Sequence, residues 1–277
     1  MEKIYLTESF ISKKYSYDRF AKIQNDILNS KDSEIKIVLD IKNRLGFTFV
    51  FLVACLPFLA KNKHIVINCN DKCFSLFKKL NVIPDDVEYH PKENYVPYIL
   101  DKTNRISEAN DIFDTVTEIT KEAPVKMSSE LSALFISKAG EMFNNALEHS
   151  HGTVLGCKYF KNQKNTYCFS CYDTGIGIPN NVIKANPEIT TTLDAFKWAM
   201  VDGNSTVVGG IPRGLGLGLL KSFAKANDGI IRICSGNILY IFGCKDGEKY
   251  YVLNNTFKGT LFEMDIVADN DHKYILK

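Results

Sequence analysis

The chain has 277 residues, 45% hydrophobic and 24% charged, which suits one large or two ordinary globular domains with a full core. A net charge of +2 argues against a bulk electrostatic partner such as nucleic acid. The longest apolar stretch, residues 47–60, carries Thr48, Cys55 and Pro57 and is too short to span a bilayer. The first residues carry acids and lack the apolar centre of a secretory signal, so the expectation is a cytoplasmic protein without a membrane partner.

Taken in chain order, residues 16–29 set Phe20, Ile23, Ile27 and Leu28 at helical spacing. Residues 34–41 predict a short buried strand, 47–61 a helix, 64–68 a second strand and 71–80 an amphipathic helix. Strands separated by single helices predict a parallel βαβ unit. This order, with Ile37-Val-Leu-Asp40, Phe47-Thr-Phe-Val-Phe51 and Ile65-Val-Ile-Asn68, resembles the STAS domain of anti-sigma-factor antagonists over roughly residues 1–100. Those domains often carry a phosphorylatable Ser where this chain reads Arg44-Leu-Gly46-Phe-Thr48; the usual Asp-Ser-Ser-Gly is absent and Thr48 is its only stand-in.

Residues 88–126 are irregular, with a helix expected over 110–120. The resulting division is 1–105 for the N-terminal domain, 106–125 for a linker and 126–277 for a second domain. From Ser128, an N-cap residue, a long helix runs to about Ser150, with Gly152 as its stop. Residues 154–160 and 166–172 predict two adjacent strands. A polar stretch to Ser205, a helix over 217–226 and four strands (229–235, 238–244, 250–254 and 260–266) complete the chain.

Cys168-Phe-Ser-Cys171 is the only CxxC among eight cysteines. On a strand its two thiols face opposite sides of the sheet, so they cannot grip one metal; small buried thiols are expected.

The chemistry concentrates in three places. Glu141 and Asn145 are four apart on the long helix, about 40° apart around its axis, so both can address one spot. Asn145 offers a neutral oxygen to Mg²⁺, and Glu141 can accept a proton from an attacking water. Such a pair alone is usually a solvated face; here it interrupts an otherwise apolar helix. His149, one turn on along the same face, can touch the nucleotide or cap the helix C-terminus, and the cap is preferred because a cation or polar donor there meets the negative end of the helix dipole. Asp173 ends a strand, with Gly175 and Gly177 following. A carboxylate there can accept from the 6-amino group of adenine, whereas guanine opposes it with another acceptor, and the glycines let the backbone approach the base. Arg213-Gly214-Leu-Gly216-Leu217-Gly218 opens a helix and can turn backbone N–H groups toward an anion.

These three pieces, in this order, resemble the GHKL ATPase family of gyrase B subunits, Hsp-type chaperones, histidine kinases, MutL and anti-sigma serine kinases. Phe257-Lys-Gly259-Thr260-Leu-Phe262 resembles the family's last strand, and the resemblance covers about residues 126–267. It implies a two-layer α/β sandwich with a mixed, mostly antiparallel sheet, binding ATP with Mg²⁺ under a mobile lid at about residues 186–212. It further implies Glu141 as base, Asn145 as metal ligand, and Asp173, Gly175, Gly177, Arg213, Gly214, Gly216, Leu217 and Gly218 at the nucleotide. Glu141-x-x-x-Asn-Ala-x-x-His149 is closest to the anti-sigma serine-kinase branch. Two functions stay open: an ATPase or protein kinase, and an ATP-gated interaction switch with little turnover. A regulatory protein partner is expected, and a homodimer is left open.

Overall fold

The computed structural model describes residues 2–6, 9–11, 13–39, 46–69, 75–77, 98–100, 126–161, 166–201, 203–206, 216–226, 228–243, 245–267 and 273–274. The helix expected over 110–120, most of that over 71–80, Arg213 and Gly214 lie outside them.

Among the described residues the protein is a mixed α/β structure with a three-stranded parallel sheet, a larger five-stranded antiparallel sheet and a short two-stranded parallel pair. Strand β1 (Glu2–Leu6), helix α1 (Lys14–Asn29), β2 (Glu34–Leu39), α2 (Phe47–Ala54), α3 (Leu56–Leu59) and β3 (His64–Cys69) follow in order, and the strands pair in parallel as β1-β2-β3. Strand β1 has no counterpart in the sequence expectations: its Glu and Lys interrupt any apolar run, and only Leu6 is buried. The helix expected over 47–61 is two helices, because Pro57 has no N–H with which to continue the first. Helix α2 is buried all round, from Thr48 to Ala54, as a helix apolar on every side must be.

Strand β4 (Tyr98–Leu100) joins the second sheet although it precedes the boundary expected near 105. After β5 (Lys126–Met127) comes the long helix α4 (Ser129–Ser150). Ser128 caps it by accepting from the Leu131 N–H at 3.2 Å. Strands β6 (Val154–Lys161) and β7 (Thr166–Asp173) follow, then helices α5 (Ile178–Ala185), α6 (Thr192–Ala199) and α7 (Gly216–Ala226). Two long strands, β8 (Ile230–Gly243) and β9 (Gly247–Val267), complete a sheet of order β4-β6-β7-β9-β8, antiparallel throughout. The short β10 (Lys273–Tyr274) pairs with β5.

Helices α5 and α6 replace the expected polar stretch. Each buries only two side chains, Pro179 and Val182 or Ala195 and Phe196, too few to show a period. The four expected tail strands are two, because the turn-like residues near Gly236 and Asn254 mark a bulge, not strand ends.

The antiparallel sheet is covered on both faces, so its central strand reads as an almost unbroken buried run. Strand alternation divides its side chains between two cores. Phe169, Cys171, Ile233, Phe262 and Met264 pack with Phe135, Phe143 and Phe223 of α4 and α7. Cys168, Tyr172, Cys234, Phe257 and Leu261 pack with Phe20, Phe49 and the other buried residues of the N-terminal unit. Cys168 and Cys171 thus sit in different cores, as the strand period requires.

A buried polar network crosses the second interface. Arg232 donates to Glu263 and, at 3.1 Å, to Asp265. Thr48 donates to the other Glu263 oxygen. Thr48 is 1% exposed, so the one stand-in for a phosphorylatable serine is inside the fold and already bonded to a carboxylate. No helix of the described residues is long and apolar enough to cross a membrane.

Candidate functional site

A cleft of about 240 Å³ opens on the α4 face of the antiparallel sheet. Its position follows from the pleat. Asp173 shares the face of Phe169 and Cys171, and across the ladder it is paired with Thr260, which shares the face of Phe262. The side chains at the ends of β7 and β9 therefore meet under α4. From the helix come Glu141, Asn145 and His149, one turn apart on the wall.

Asp173 forms the floor and is 4% exposed. Its Oδ1 accepts from the Gly175 N–H at 2.9 Å. Burial raises its pKa to about 7, against the opposing effect of hydrogen bonds from Gly175 and Thr260. A donor arriving from a ligand would favour the ionised form. Thr260 is itself tied to Ser235, whose hydroxyl lies 3.0 Å from its own and 3.1 Å from the Gly259 carbonyl oxygen. Gly259 has φ +82, and a Cβ there would stand 1.7 Å from the Asp173 carbonyl oxygen. No other residue fits against this stretch of the Asp173 backbone.

The loop after Asp173 is stitched to the end of α4. Ile176 N–H donates to the Ser150 carbonyl at 3.1 Å, and Thr174 N–H to Thr153 at 3.0 Å. A Cβ on Gly175 would come within 2.0 Å of the Ser150 oxygen. The glycine expected to admit a flat base is thus required for packing against the helix end. Gly177 is the N-cap of α5. Helix α4 is stopped by His151 in the left-handed region, not by the expected Gly152. His149, expected to cap that helix, lines the cleft, while its carbonyl accepts from Asn181 at 2.8 Å.

Glu141 and Asn145 lie on the cleft as their spacing requires, with the Asn145 side chain exposed to it. Lys138, one turn before Glu141, forms an ion pair with its carboxylate. Of the second glycine segment, Gly216 is the first residue of α7, Leu217 lines the cleft and Gly218 lies in the first turn, its carbonyl accepting from Ser222. The expected lid region contributes Trp198, Met200, Asn204 and Thr206 to the lining of the cleft, carried by α6 and the residues after it.

Sequence reasoning missed Lys138, Asn181, Ser235 and Trp198. Trp198, the only tryptophan in the chain, sat in a segment that showed no period. Lys138 was legible as the i−3 neighbour of Glu141. Asn181 and Ser235 carried no local signal.

On the opposite face, Cys168, Glu263 and Asp265 bring potential ligand atoms within 4.8 Å of one another. Arg232 already supplies positive charge to both carboxylates there, so the group reads as an ion-pair network. No protein-family model matches the chain, and no curated protein matches it significantly.

Proposed function

We propose that the cleft is an adenine-nucleotide site of the GHKL type, binding ATP with Mg²⁺, and that the N-terminal unit is STAS-like. The observation that carries this reading is Asp173: a buried carboxylate met by N–H and O–H donors, at the floor of a cleft that also holds Glu141 and Asn145. Apolar walls from Met142, Ala146 and Ile178 suit a flat base, and Asp173 would accept its 6-amino group. Asn145 would hold the metal, a neutral oxygen on the open side of the cleft. Magnesium would supply charge neutralisation for the phosphate oxygens. Leu217 at the start of α7 brings that helix's amino end to the cleft, a setting suited to an anion.

Glu141 then has two uses. As a base it orients and deprotonates a water or a protein hydroxyl, and the protein is an ATPase or a protein kinase. In the second use the Glu141 carboxylate, held in an ion pair with Lys138, only lines the cleft, and the protein is an ATP-gated interaction switch with little turnover. A regulatory protein partner fits either.

Turnover separates the two. An ATPase or kinase should lose about a hundredfold or more of its rate in Glu141→Ala, measured as phosphate release or phosphoryl transfer. Nucleotide binding, followed by Trp198 fluorescence, should persist in that variant. Binding without measurable turnover in the unaltered protein identifies the switch.

A further inference from the structure

The bulge in β9 shows how the N-terminal unit reaches the cleft. Gly236 pairs with Phe257 and Ile238 with Val252, so residues 253–256 leave the ladder opposite Asn237. Backbone groups released by a bulge need other partners, and helix α1 supplies them. Asp18 Oδ1 accepts from the N–H groups of Asn254 and Asn255 at 2.7 and 2.8 Å. Asn25 Nδ2 donates to the Thr256 carbonyl at 3.1 Å.

Gln24 reaches furthest. It is 0% exposed on the apolar face of α1, between Phe20 and Ile27. Its Nε2 donates to Tyr172 Oη at 3.0 Å and to the Lys258 carbonyl at 3.2 Å. Its Oε1 accepts from the Lys258 N–H at 2.9 Å. Tyr172 Oη donates to that same Lys258 carbonyl at 3.0 Å. Tyr172 immediately precedes Asp173, and Lys258 immediately precedes Gly259 and Thr260. The amide thus holds both segments whose next residues form the floor of the cleft.

A buried glutamine on an apolar helix face costs desolvation unless every polar atom is used. Here its amide oxygen and nitrogen go to the two strands carrying Asp173 and Thr260. A register of about an ångström between those strands decides whether the carboxylate meets its ligand.

We infer that Gln24 is a positioning residue for nucleotide selection, an inference that rests on the adenine-site reading above. Through it the N-terminal unit sets the spacing of Asp173 and Thr260. Anything that shifts α1 changes which base the cleft accepts, and by linkage an occupied cleft tightens the seat of α1.

The test compares Gln24→Met, which keeps length and volume but removes both polar atoms, with Tyr172→Phe, which removes only the hydroxyl. Phe10→Leu is the control: it loosens the N-terminal core at the ring packed at a tilt against Phe49, without touching the bulge. ATP and GTP affinities are measured with the full chain and Mg²⁺, and the Gly175 amide resonance is followed in the nucleotide-free protein. The unaltered chain should prefer ATP. Gln24→Met and Tyr172→Phe should each lower the ATP-to-GTP affinity ratio roughly five- to tenfold, the low end of couplings carried through a packed element. Together they should do little more than either alone, because they break one shared clamp. Both should move the Gly175 resonance, whereas Phe10→Leu should lower the melting temperature and leave ratio and resonance alone. An unchanged ratio and resonance in both clamp variants overturns the role of Gln24 and leaves the nucleotide site standing. An unaltered chain that binds neither nucleotide overturns the site, and the clamp falls with it.

Discussion

The antiparallel sheet buries a carboxylate on each face, and its surroundings treat the two in opposite ways. Glu263, on the face covered by the N-terminal unit, is fully buried and meets Arg232 and Thr48. Asp173, on the α4 face, is nearly as buried but meets the Gly175 N–H and Thr260 beside an open cleft. A buried acid neutralised by a buried cation completes a core. One left with neutral donors, its pKa raised to about 7, retains binding capacity for a ligand. The two lie on the same pair of strands, only a few residues apart in register.

Breaking the first site should cost most. Arg232→Met leaves Glu263 and Asp265 buried without their cation and should lower stability by about 3–5 kcal/mol in chemical denaturation. A loss under about 1 kcal/mol would mean that Glu263 is not held as an ion pair, and the contrast with Asp173 would weaken.

The second site should declare itself through pH. Asp173 holds its proton to about pH 7 in the folded chain and releases it near the ordinary carboxylate value of about 4 when unfolded. Between those limits the native state binds more protons, so stability falls as pH rises from about 4 to about 7, by up to roughly 4 kcal/mol. Subtracting the profile of Asp173→Asn, which cannot titrate there, isolates this slope. A flat difference would show that the carboxyl is not desolvated. The smallest effect should come from Thr48→Val, which removes one donor from Glu263 at almost constant volume and should cost about 1–3 kcal/mol. Nucleotide affinity should not follow it.

Much of the cleft was legible along the chain because it rests on local rules. Ser128 announces the start of α4, the helical period carries Glu141 and Asn145 to one wall, and the end of an apolar strand fixes Asp173. The second cover on the sheet was not legible. A strand buried on both faces shows no alternation, so nothing in Tyr167-Cys-Phe-Ser-Cys-Tyr172 says that two cores divide it. Gln24 was hidden for a related reason: its partners are 148 and 234 residues away, and the register shift that takes Lys258 out of the β8–β9 ladder exists only in the folded sheet. Gly175, expected to let a base approach, also has a packing role that the sequence did not reveal: it makes room for the end of α4.

The most direct test is the ratio of ATP to GTP affinity, measured with Mg²⁺ for the unaltered chain and for Asp173→Asn, with Trp198 fluorescence as the signal. The account predicts that the unaltered chain favours ATP by about a hundredfold or more and that the substitution removes the preference. Equal selectivity in the two proteins, or no binding of ATP by the unaltered chain, would contradict it.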